Sequence, residues 1–128
     1  MLTQEKKMTT DVFFQKIACK EPWNIRTQEV DQPVESWDEI ETYIRDMLDD
    51  GNQFVTLTAE KINSNIRYVQ ASQYGCEIVV QLGIEEGEYT RLVEKMCTEE
   101  ECLDIFREYF FSTHVRNPGD YSPVKFYV

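Results

Sequence analysis

The stretch Ile66-Arg67-Tyr68-Val69-Gln70-Ala71-Ser72-Gln73-Tyr74-Gly75-Cys76-Glu77-Ile78-Val79-Val80-Gln81-Leu82 decides the fold. It is rich in β-branched and aromatic residues, which suit a pleated, half-buried surface. In its second half Cys76, Ile78, Val80 and Leu82 recur at every other position, the period of a strand with one buried face. Between the two runs, Ser72-Gln73-Tyr74-Gly75 reads as a turn. So short a link cannot carry a parallel crossover, which needs a dozen or more residues, so the two strands pair antiparallel. Upstream, Phe54 to Ala59 sets Val55, Leu57 and Ala59 on one face, and Asn63-Ser64-Asn65 turns the chain into Ile66. Downstream, Glu85-Glu86-Gly87-Glu88 reads as a turn before a fourth strand, Tyr89 to Met96. Residues 54–96 are thus predicted to form an antiparallel β-meander of four or more strands.

Helical signals flank the meander. Ser36-Trp37-Asp38-Glu39 has the spacing of a capping box, in which Ser and Glu each satisfy an orphan backbone N–H. Trp37, Ile40, Ile44, Met47 and Leu48 follow at helical spacing, and Gly51 suits the position just past the helix end. The spacing predicts a helix over 37–50. Thr98-Glu99-Glu100-Glu101 is a second capping box, and its acidic first turn suits the positive end of the helix dipole. Cys102, Leu103, Phe106, Tyr109 and Phe110 then give a helix over 98–112. A sheet with one apolar face needs a cover. The expected architecture is a single α+β domain spanning 1–128, with both amphipathic helices packed on one face of the sheet. Residues 1–30 are poorly defined. Asp11 to Ala18 fits a strand or a short helix, and residues 20–35, which carry Pro22 and Pro33, read as extended chain or loop, with a short strand near Ile25 to Val30. Asn117 to Asp120 reads as a turn and Val124 to Val128 as an edge strand.

Charge narrows the partners. The 128 residues hold 13 Lys and Arg against 24 Asp and Glu, for a net charge of −11. Such a surface repels phosphate backbones and anionic membranes and attracts basic proteins. It also serves solubility alone. No window reaches the ~18 consecutive apolar residues of a membrane span. The first residues lack the apolar core of a signal peptide, so a cytoplasmic address is expected. Cys19, Cys76, Cys97 and Cys102 then read as free thiols, with Cys76 as core filler.

Catalytic templates find little support. His114 is the one histidine, placed just past a helix end where a cation suits the dipole. Cys97 and Cys102 lack zinc-knuckle spacing, and no phosphate-binding glycine loop occurs. The expectation is a non-enzymatic chain with no cofactor and no metal. Carboxylates are abundant, and two groups are candidate contacts for a basic partner: Asp38, Glu41, Asp46, Asp49 and Asp50 on the first helix, and Glu85, Glu86 and Glu88 at a hairpin turn. The competing reading of both is a solvated surface. Trp23, Tyr74, Tyr121 and Tyr127 fall in turns or loops, either exposed as contact residues or folded back on the core.

The run Pro33-Val34-Glu35-Ser36-Trp37-Asp38-Glu39-Ile40, then Phe54-Val55-Thr56-Leu57, Ile66 to Ala71, Glu77 to Gln81 and Thr98 to Tyr109, resembles small immunity proteins of bacterial polymorphic-toxin and contact-dependent inhibition systems. The resemblance covers roughly residues 30–112 and lies in element order and pattern. It implies a cytoplasmic inhibitor that masks the active site of a toxin domain, often a basic nuclease or deaminase. Two alternatives stand beside it. One is a structural or regulatory module, monomeric or paired through the Val124 to Val128 edge. The other is a small-ligand domain using the concave sheet face.

Overall fold

The computed structural model describes residues 23–49 and 53–124. The Asp11 to Ala18 segment, Asp50, Gly51 and residues 125–128 lie outside the described residues, and so does Tyr127. The elements are β1 (Trp23–Arg26), β2 (Asp31–Val34), α1 (Trp37–Leu48), β3 (Phe54–Ala59), β4 (Ile66–Tyr74), β5 (Glu77–Glu86), β6 (Tyr89–Cys97), α2 (Glu99–Ser112), a short 3₁₀ turn (Pro118–Asp120) and β7 (Ser122–Pro123). The strands form one seven-stranded sheet in the order β2-β1-β3-β4-β5-β6-β7, and every neighbouring pair is antiparallel.

The meander is therefore present, and it is extended by a hairpin at one side and a two-residue strand at the other. The hairpin β1–β2 replaces the expected single strand near Ile25 to Val30. Thr27 makes its turn: the Thr27 N–H donates to the Val30 carbonyl, and its Oγ1 accepts from the Glu29 and Val30 N–H groups. Of the expected edge strand Val124 to Val128 only Val124 is described; just before it, Ser122–Pro123 pairs with Glu94 and Val93.

Both central hairpins turn on glycine. Gly75 and Gly87 have φ of +64° and +63°, while Cys76 and Glu88 after them are not in the left-handed region. Glycine first and an ordinary residue second is the pattern of a two-residue hairpin that continues the strand twist. The strands are accordingly longer than the sequence reading placed them. Cys76 is a turn residue, exposed rather than buried, and Glu85 and Glu86 belong to β5, not to the turn.

Register sorts the sheet into two unlike faces. One row of cross-strand neighbours reads Ile25, Leu57, Val69, Leu82, Val93, and all are buried. The next row, on the opposite face, reads Asp31, Arg26, Thr56, Gln70, Gln81, Glu94, Ser122, polar across all seven strands. The apolar row joins one core with Ile40, Ile44 and Met47 of α1 and Cys102, Phe106 and Tyr109 of α2. α1 contacts α2, β3 and β4; α2 contacts β4, β5 and β6.

The caps form as their chemistry requires. Thr98 Oγ1 accepts from the Glu101 N–H, and Glu101 accepts from the Thr98 N–H, a complete box. At α1 the box is half-formed. Ser36 Oγ accepts from the Glu39 N–H at 3.2 Å, but Glu39 Oε1 accepts from the Glu35 N–H instead of that of Ser36. α2 ends on Thr113, a β-branched residue held at φ +57°. That conformation is costly for such a side chain. Its surroundings hold it there: Thr113 Oγ1 accepts from the Asn63 N–H, and its carbonyl accepts from the Ser64 hydroxyl. The loop between β3 and β4 is thereby tied to the end of α2.

One close approach explains a glycine inside a strand. A Cβ on Gly83 would lie 2.2 Å from the Tyr68 ring, which crosses the polar face from β4. Gly83→Ala should therefore cost about 1–3 kcal/mol by overpacking. In a Tyr68→Ala background most of that cost should vanish. Urea midpoints of the four proteins check this, and additive costs would sink it.

Candidate functional site

The eight carboxylates singled out in sequence divide on the fold. Asp38, Glu41, Asp46 and Asp49 follow α1, which leaves β2 at Val34 and heads toward Phe54. Asp49 is the C-cap of α1, so the helix stops short of Asp50, which lies outside the described residues. Glu85, Glu86 and Glu88 sit at the β5–β6 hairpin. Phe54 pairs with Ser72, near the hairpin where Tyr74 pairs with Glu77, whereas Ile66 pairs with Ile84 at the opposite end of the sheet. Strands that rise ~3.3 Å per residue separate these ends by on the order of 30 Å. The end of α1 and the Glu85–Glu88 hairpin do not form one surface.

Glu41, Glu85 and Glu86 are matched internally. Glu41 bridges Arg45 at 2.7 Å one helical turn on. Glu85 bridges Arg67 at 2.7 Å, and Arg67 also donates to the carbonyls of Ala59 and Glu60. Arg67 can do this because it is the extra residue of a β-bulge between Ile66 and Tyr68, which re-aims its side chain. Glu86 bridges Arg91 at 2.9 Å and accepts from the Tyr89 hydroxyl. The hairpin carboxylates are thus structural for the most part. Asp38, Asp49 and Glu88 are exposed and make no ion pair among the described residues.

The end of α1 shares its end of the sheet with the start of α2. β6 ends at Cys97, opposite Ile78, so Thr98 begins α2 at the same end of the sheet where α1 finishes. Glu99, Glu100 and Glu101 lie there, all exposed. The Thr98 backbone N–H holds the Glu101 carboxyl below the usual carboxylate range. The sequence reading assigned these three glutamates to capping and the dipole alone, and missed them as surface charge. The signal was their number: a cap needs one. α1 has a net charge of −3 and α2 of −4, so the two helices hold −7 of the chain's −11.

The polar sheet face forms an open trough of about 1030 Å³. Asn24, Arg26, Thr56, Gln70 and Tyr74 are among its lining residues, and its single carboxylate is Asp31, which accepts from the Asn24 amide at 2.7 Å. The Thr56 hydroxyl donates to Gln70 Oε1 at 2.8 Å. The lining has no His, Cys, Lys or Glu.

Other candidates also resolve. His114 is exposed, and its backbone N–H donates to Ser112 Oγ. Burial pushes the Cys97 thiol up, and that of Cys102 up to about 12, the reverse of a reactive cysteine. Among the described residues no group of three or more His, Cys, Asp or Glu is placed to hold a metal ion, and no helix is long and apolar enough to cross a membrane. Of the aromatics flagged in loops, Trp23 and Tyr121 are buried and Tyr74 is exposed. Two exposed aromatics escaped the sequence reading, Tyr89 and Phe111.

Comparison of the chain with protein-family models, with curated proteins and with solved structures returns no match.

Proposed function

We propose that this chain is a non-catalytic acidic binding module whose two helices lie together on the apolar face of the sheet and present their outer carboxylates to a basic protein. The particular role we assign is that of an immunity-type inhibitor, acting in the cytoplasm and masking the active site of a basic toxin or nuclease domain. The observation that carries this reading is the concentration of charge. The helix pair holds −7 of the −11, while the trough on the open sheet face is lined mostly by neutral amides and hydroxyls, with Arg26 and Asp31 as its two charged residues. Charge gathered on one layer steers a partner of opposite sign to that layer, whereas a need for solubility alone is met by charge spread evenly.

The test is a charge reversal at exposed carboxylates that make no ion pair among the described residues. Asp38→Lys, Asp49→Lys and Glu100→Lys together should leave the chain folded, at a cost of about 1 kcal/mol at each of Asp38 and Glu100, which lie in helix first turns, and less at Asp49. Binding to a basic toxin domain encoded by an adjacent gene should weaken by more than about tenfold at low salt, mainly through the association rate. Calorimetry and stopped-flow mixing measure both. Unchanged affinity in the triple variant would end the acidic-layer reading.

A further inference from the structure

Phe111 is an aromatic ring on α2 that the core does not use. The core stripe of α2 is Cys102, Phe106 and Tyr109, all fully buried, and Phe111 points away from it with 68% of its surface exposed. It is nevertheless held firmly. Its ring meets Phe110 edge-on at 5.0 Å, and Phe110 packs against Trp23 at 5.2 Å. Trp23 is buried and stands at 85° to the Tyr109 ring. Trp37 closes the other side of Phe110 at 6.5 Å, with the Arg107 guanidinium over its face at 5.7 Å. The exposed ring is thus the tip of an aromatic stack rooted in the core. A side chain already ordered loses little entropy when it is covered.

We propose that Phe111 is the anchor by which this chain seats in an apolar pocket rimmed with lysine or arginine on a basic protein. The proposal rests on the acidic-layer reading above and adds its central contact. Charge complementarity selects the occupant. The ring lies at the end of α2 away from Glu99–Glu101, where Arg107 rests on the Trp37 face and Arg116 is matched by Glu108, so the field an approaching partner meets is that of the whole chain, with its net charge of −11. A second copy of this chain carries the same negative charge and would be repelled. Rigid aromatic side chains surrounded by polar residues are the usual form of an interface hot spot.

The test uses the full chain and two synthetic peptides of equal positive charge. One is an amphipathic lysine–leucine helix former, with its lysines around a leucine stripe; the other is a lysine–glycine chain with no apolar face. Fluorescence anisotropy at low salt should show tighter binding of the lysine–leucine peptide. Phe111→Ala should weaken that peptide by about tenfold or more and leave the lysine–glycine peptide unchanged. Equal binding of the lysine–leucine peptide by parent and variant would overturn the anchor while the acidic-layer reading survives. Failure of both peptides to bind the parent would overturn both. A parent that elutes as a dimer, made monomeric by Phe111→Ala, would also overturn the proposal, because the ring would then serve a second copy.

Discussion

Replacing Phe106 by alanine is expected to remove about 3–5 kcal/mol of stability, the usual cost of deleting a fully buried aromatic ring. Phe106 is wholly inaccessible to solvent and lies on α2 between Cys102 and Tyr109, in the core beneath the sheet's apolar row. Truncation removes the transfer energy of the ring and leaves a cavity that a close-packed interior closes only in part. A domain of ordinary stability holds roughly 5–15 kcal/mol in total, so the loss is a large fraction. The melting temperature should drop by on the order of 10–20 °C. Phe111→Ala is the matched control, the same chemical change on the same helix at an exposed ring, and its midpoint should hardly move. Urea unfolding of both variants measures the contrast. Equal losses in the two would mean that α2 is not seated by the stripe described.

Alkaline unfolding is the second large effect. Burial pushes the Cys102 thiol from 9.0 up to about 12, with the nearby Cys97 and Glu99 adding to the rise. Below pH 9 both the folded and the unfolded chain hold this proton, and it contributes nothing to pH dependence. Between pH 9 and 12 the unfolded chain releases it and the folded chain keeps it, so the unfolded state gains. The cost is about 1.4 kcal/mol per pH unit, about 4 kcal/mol across the window. Burial raises the hydroxyls of Tyr109 and Tyr121 as well, so their contributions begin near pH 10. Urea midpoints between pH 8 and 10.5 should therefore fall with steepening slope. Cys102→Ala should flatten the first part of that fall, whatever it costs in packing. An unchanged slope from pH 8.5 to 10 in the variant would refute the assignment.

The parts of this fold that could be read from sequence are those fixed by nearby residues. Ser36 and Thr98 announce their helices because a cap is a contact across three residues. β3 to β6 announce themselves because one buried face forces alternation. The β1–β2 hairpin was harder: Asp31, Gln32 and Pro33 of β2 are all exposed, so no alternation marks them. Thr27, whose hydroxyl makes the turn, was the available clue. Cys76 was misplaced because its alternation with Ile78 runs straight through a two-residue turn that only the positive φ of Gly75 reveals. For the site, sequence gave the charge but not its grouping. That Asp49 shares an end of the molecule with Glu99, and not with Glu88, depends on which way β6 runs. Arg67, which neutralises Glu85 from eighteen positions away, is a matter of sheet register that no local window contains.

The polar and apolar rows that cross the sheet side by side also set the penalty for misassembly. Slide β3 by one residue and Val55, Leu57 and Ala59 turn out to water while Thr56 and Thr58 turn in. The exposed apolar groups alone would forfeit about 5 kcal/mol, near the whole margin that keeps a small domain folded. Off-by-one pairings of the central strands are therefore not close competitors of the native arrangement. A chain with so wide a gap beneath its correct alignment should refold in a single concerted step, without lingering in near-miss forms.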